Sequence, residues 1–159
     1  MKLLTVLLLV SSSSIALAQD LGFGFGDVGS RISAGSKAYA ARYNEEVIAP
    51  LQKQSCLEQA GSYVCSYSSG SIGIFAAAAN KDAPIQSIRV LGKQSVEHGN
   101  VLGAVIAATA PGIGEWRQGI AMWQLAFKNG VPSYVMAGNA AVFSGYMRDG
   151  QILVTVFKP

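Results

Sequence analysis

The sequence predicts an α+β domain: an antiparallel sheet built from two three-stranded meanders, covered by about three helices, in the order α-βββ-αα-βββ. Three observations carry this prediction. Apolar residues recur at helical spacing over residues 33–54 and 98–130. Between and after them lie short runs rich in β-branched and aromatic residues, bounded by Gly, Asn, Asp or Ser. The connections between these runs are short, and short connections join antiparallel neighbours.

The first segment to justify is the start of the chain. Met1-Lys2 precedes residues 3–10, seven of which are apolar, then four serines, Ser11 to Ser14, and Ile15-Ala16-Leu17-Ala18. A basic start, a short apolar stretch and small residues at the A-x-A positions describe a secretory signal peptide cleaved after Ala18. The serine run interrupts the apolar stretch well before the ~20 residues a membrane-spanning helix needs. Gln19, not Cys, follows the cleavage point, so lipoprotein processing is not expected. The expected organisation is a cleaved signal over residues 1–18, a glycine-rich flexible arm over 19–32 and a single α+β domain over 33–159. The product is expected in the periplasm or outside the cell, without stable membrane insertion.

Composition narrows the chemistry. Of the 159 residues, 13% are charged and half are apolar, which describes a globular chain and not a disordered one. Residues 19–159 carry 11 basic and 9 acidic side chains, and the basic ones are spread without a run, which argues against nucleic acid as a partner. One His and two Cys exclude a His-rich or four-thiolate metal site, and Asp27, Asp82 and Asp149 are isolated from one another. No metal and no cofactor is therefore expected. Cys56 and Cys65 have eight residues between them and no C-x-x-C arrangement, so in an exported chain they are expected to form a structural disulfide.

Residues 20–32 hold four glycines with Phe23 and Phe25 among them. The stretch Gly24-Phe25-Gly26-Asp27-Val28-Gly29 has the letters of a G-x-G-x-x-G dinucleotide turn, but that turn must follow a buried strand, and this one follows a cleavage site. It is read as an arm whose two phenylalanines can pack on the domain. Over residues 33–54, Tyr39, Tyr43, Val47 and Leu51 recur every four residues and predict one amphipathic helix, with Pro50 kinking or restarting its last turn. Glu45 and Glu46 fall on its solvated flank.

Three strands are predicted next, over residues 63–67, 72–75 with the alanines that follow, and 85–91. In the first, Tyr63, Cys65 and Tyr67 share a face opposite Val64 and Ser66. The small side chains Ala76 to Ala79 leave room for close packing by a helix of this chain or by a ligand, of which the helix is expected. Val101, Leu102, Val105 and Ile106 form the stripe of the next helix, with Asn100 as its expected N-cap. Trp116, Ile120, Trp123 and Phe127 form that of a third, which Lys128, Gly130 and Pro132 should end. Strands over 134–137, 141–147 and 152–157 complete the order, with Asp149-Gly150 as a strong hairpin turn. The last strand is apolar on both faces, which places it at the centre of the sheet or covered on two sides.

Candidates for chemistry are few. His98 is the one imidazole, and Glu97 beside it is badly placed to orient it, because adjacent residues on a helix do not face each other. No G-x-S-x-G nucleophile turn is present. Trp116 and Trp123, with Phe23 and Phe25, are the candidate surface for a ligand or partner, although an apolar stripe of that width normally packs inward. The function expected from these observations is that of an exported, non-enzymatic small domain binding an exported protein partner, as an adaptor or inhibitor does. The alternatives are a cell-envelope or extracellular hydrolase using His98, or a small apolar-ligand-binding protein.

Overall fold

Residue pairing builds one seven-stranded antiparallel sheet in the order β1-β2-β3-β4-β7-β6-β5, in a computed structural model that describes residues 19–110, 128, 133–137, 140–146 and 149–159. The strands are β1 (Gln52–Gln59), β2 (Ser62–Ser69), β3 (Ile72–Ala78), β4 (Ser87–Lys93), β5 (Ser133–Ala137), β6 (Ala140–Tyr146) and β7 (Gln151–Phe157). Two α-helices are described, α1 (Val28–Tyr43) and α2 (Val96–Thr109). The fold is α+β, but its strands do not divide into two sets of three. Four strands precede α2, the additional one being β1, whose sequence QKQSCLEQ has no apolar alternation. The expected third helix, with Trp116 and Trp123, falls outside the described residues apart from Lys128.

The first helix also differs from its predicted bounds. It starts five residues earlier, at Val28, and ends where Asn44 takes a left-handed conformation (φ 55°, ψ 46°) and returns its N–H to the Ala40 carbonyl. Asn tolerates that conformation, so it can stop a helix whose apolar spacing would otherwise continue. The spacing through Val47 and Leu51 was therefore coincidental, and Val47 stands 56% exposed. The chain after Asn44 is held by polar bonds instead: Ile48 N–H donates to Ser36 Oγ (3.0 Å) and Ser69 Oγ donates to the Ala49 carbonyl (2.8 Å).

Residues 19–27, expected as a flexible arm, are docked on the sheet. Gln19 N–H donates to the Lys158 carbonyl (2.9 Å), Leu21 N–H to the Ile85 carbonyl (2.7 Å), and Ile85 N–H to the Phe23 carbonyl (2.9 Å). Leu21 and Phe23 are buried, and residues Phe25–Asp27 form a 3-10 turn that leads into α1. The glycines thus separate apolar anchors and do not confer looseness.

Helix α2 explains the depth of the core. Its N-cap is Ser95, whose hydroxyl accepts from the His98 N–H (3.0 Å), and not Asn100. Every residue from His98 to Ala110 is buried. A helix apolar all round must be enclosed, and α2 lies between α1 on one side and strands β3, β4 and β7 on the other. The α1–α2 approach is close because Gly35 has no side chain: a Cβ there would strike the Ala104 carbonyl and stand 2.8 Å from Ala108 N. Strand alternation supplies the rest of this core. Ile72, Ile74, Ala76 and Ala78 of β3, Ile88 and Val90 of β4, and Ile152, Val154 and Val156 of β7 are all buried on the helix-covered face. Strand β7 is interior, between β4 and β6, as its two apolar faces predict.

Candidate functional site

Because side chains alternate along a strand, the residues left over from the core define the second face of the sheet. On β4 these are Ser87, Arg89 and Leu91. The register places Gly73, Phe75 and Ala77 of β3 opposite Leu91, Arg89 and Ser87. On the other side, Leu153, Thr155 and Phe157 of β7 stand opposite the same three residues. Arg89 thus sits in the middle of a patch whose other members are apolar or carry only a hydroxyl.

Its burial is unusual for its type. Arg89 is 7% exposed and Ser87 4%, and among the described residues neither Arg89 Nε nor Ser87 Oγ has a hydrogen-bond partner. Burial lowers the Arg89 pKa below the ordinary arginine value, since a low-dielectric surrounding disfavours the charged form. Arginine nonetheless keeps its proton in proteins, so this is a charge held in an apolar patch. Such an arrangement is costly without a counter-charge.

A groove of about 420 Å³ opens on the same face, between Arg89's surroundings and the outer strand β1. Leu57, Val64, Phe75 and Leu91 form its apolar floor, and Phe75 and Leu91 are shared with the patch around Arg89. Its rim is uncharged, made of Ser and Gln side chains that bond across the strands: Gln54 Nε2 donates to Ser68 Oγ (3.0 Å), and the Ser55 and Ser66 hydroxyls are 3.0 Å apart. The floor lies next to the Cys56–Cys65 disulfide, which joins directly opposed residues of β1 and β2 with a Cα–Cα distance of 4.0 Å. The disulfide read from the sequence is therefore present, and it ties the outer strand to the sheet.

The residues singled out in the sequence lie elsewhere. His98 is fully buried on the helix-covered face, in space that Gly92 leaves open: a Cβ on Gly92 would stand 2.9 Å from His98 Cδ2. Burial lowers its pKa to about 4, against the opposing influence of the backbone at Val90 and Ile152. A substrate cleft is thus not found at His98, and Glu97 points to another partner, Ser71. Phe23 belongs to the core, with the Arg31 guanidinium 5.6 Å from its ring centroid, and is not a surface for a partner. Phe25 is half-buried, edge-to-face with Tyr63 at 5.3 Å. Among the described residues no group of three or more His, Cys, Asp or Glu could hold a metal ion.

Sequence reasoning passed over Arg89, counting it only among scattered basic residues. The signal was present: in residues 85–91 it is the one charge inside an apolar alternation. Among the described residues, then, the α+β domain has one sheet face covered by α2 and α1, and on the other face the patch around Arg89 and the groove beside β1. Protein-family models, curated proteins and solved structures all return no match to this chain.

Proposed function

We propose that this chain is an exported, non-enzymatic binding domain whose partner is an exported protein, bound in the manner of an adaptor or inhibitor. The observation that carries the reading is the groove beside β1. It has an apolar floor, an uncharged hydroxyl and amide rim, and an outer strand along one side. An extended segment of a partner fits such a place, pairing its backbone with the outer strand while alternate side chains enter the groove. Leu57, 38% exposed on β1, is the apolar contact at the entrance, and the disulfide keeps that strand in place.

The test uses residues 19–159 as bait against the exported fraction of the source cells, beside a Leu57→Asp variant of equal thermal stability. One stoichiometric partner that survives high salt and is lost with Leu57→Asp supports the reading. A partner retained equally by both baits overturns the groove as the site, and the lack of any saturable partner overturns the reading. Export is tested separately, by N-terminal sequencing of the product, with Gln19 as the expected first residue.

A further inference from the structure

We propose that Arg89, with Ser87 beside it, is the anion-binding point of a small-ligand site on the second face of the sheet, and that its ligand is a monocarboxylate with an apolar chain. This goes beyond the protein partner proposed above: its anchor, Arg89 with Ser87, lies outside the groove lining, while the floor at Phe75 and Leu91 is common to both readings. Two polar side chains, each more than nine-tenths buried and each with an unpartnered polar atom, sit at neighbouring positions on one face of one strand. Neither β3 nor β7 brings a charge to face them.

The acidic residues of the chain do not supply one either, as far as they are described. Asp20, Asp27, Glu45, Glu46, Glu58, Asp82 and Asp149 are exposed, and Glu97 is bonded to Ser71. Glu115 lies outside the described residues, and the experiment below includes it.

The class of ligand follows from charge and surroundings. A guanidinium presents parallel N–H donors that match the two oxygens of a carboxylate. A single cation neutralises a monoanion, whereas a phosphate dianion would leave an excess negative charge among Phe75, Leu91 and Phe157. Of these, Phe75 and Leu91 also belong to the floor of the groove, which begins beside Arg89 and extends toward β1, so an apolar chain held at Arg89 would run over roughly three strand spacings, ~14 Å.

The test is calorimetric titration of residues 19–159 with octanoate, octanol and inorganic phosphate. Saturable octanoate binding is expected, with octanol weaker by about tenfold or more and phosphate not bound. Arg89→Met should reduce octanoate affinity to that of octanol while leaving octanol unchanged, and should fold at least as stably because it removes a buried unpaired charge. If that variant does not fold, Arg89→Lys serves, with a loss of several-fold expected because Lys lacks the paired donors. Octanol binding as tightly as octanoate, or Arg89 variants binding octanoate as the parent does, overturns the proposal. Glu115→Gln should leave octanoate affinity unchanged. Tighter octanoate binding by Glu115→Gln would identify Glu115 as the internal counter-ion and would likewise overturn it.

Discussion

The Glu97 carboxylate, in the first turn of α2, holds Ser71 at two points, accepting from its backbone N–H at 3.1 Å and from its hydroxyl at 2.6 Å. This clamps the β2–β3 turn to the start of the buried helix. The turn itself needs Gly70, whose φ is +56° and whose missing Cβ leaves the place where Glu97 Oε1 sits. Glu97→Ala is expected to cost ~1–2 kcal/mol, the usual worth of hydrogen bonds to a partly exposed carboxylate. Gly70→Ala should cost at least as much, because it adds backbone strain and displaces the same carboxylate. In urea unfolding the double variant should lose less than the sum of the two, since both break one clamp.

Removing the disulfide should weaken the molecule from its outer strand inward. A loop this short contributes ~2–3 kcal/mol in the chain-entropy description. Cys56→Ser/Cys65→Ser is therefore expected to lower the unfolding free energy by that amount. Hydrogen exchange should rise first in Gln52–Gln59, which among the described residues has a strand neighbour on one side only. Uniform loss of protection across all strands would show that β1 is not the locally weak element.

His98 sets a pH dependence of stability with a definite sign. Its folded-state pKa of about 4 lies below the ordinary 6.5, so on acidification the unfolded chain takes up the proton first. Its contribution is complete above pH 6.5, declines as pH falls toward 4, and has been lost below that. The loss amounts to ~3 kcal/mol, from the size of the shift. Denaturation midpoints between pH 7 and 4 should show this fall, and a folded His98→Gln variant should show a shallower one. An equal slope in that variant would assign the effect to other groups.

Gly35 is the tightest point between the helices. Gly35→Ala must push α1 away from the Ala104 and Ala108 backbone, which cannot yield as a flexible side chain would. A cost of ~2–3 kcal/mol, within the range for overpacking, is expected in thermal unfolding. Gly29→Ala, in the same helix with nothing near its absent Cβ, should be neutral or slightly stabilising and serves as the control.

Much of the sheet was legible because alternation and turns are local properties. Tyr63, Cys65 and Tyr67 share a face as their spacing requires, and Asp149-Gly150 does close the hairpin into β7, with Gly150 at φ 79°. Strand β1 was not legible. Apart from Cys56 and Leu57 its residues are polar, and what makes them a strand is the partner β2 and the Cys56–Cys65 bond, neither of which is a property of the segment itself. The end of α1 was misjudged for a related reason: apolar spacing through Val47 and Leu51 outlasts the helix, and the single left-handed residue Asn44 decides where it stops. Conversely, the nearly unbroken apolar run after Asn100 already pointed to a helix enclosed on all sides, although only one stripe was drawn from it.

By itself the sequence determined the fold class, the pairing of the two cysteines and the interior place of the last strand. Each follows from residue type and short-range periodicity. Only the tertiary structure decided that His98 is sealed beneath the sheet and that Arg89 lies buried between Phe75 and Thr155. The lone charge in residues 85–91 is visible in the sequence, but its burial depends on which distant strands become its neighbours, and a local pattern does not contain that. The site belongs to the register of β3, β4 and β7, which places Phe75 and Thr155, 80 positions apart in the chain, on either side of Arg89.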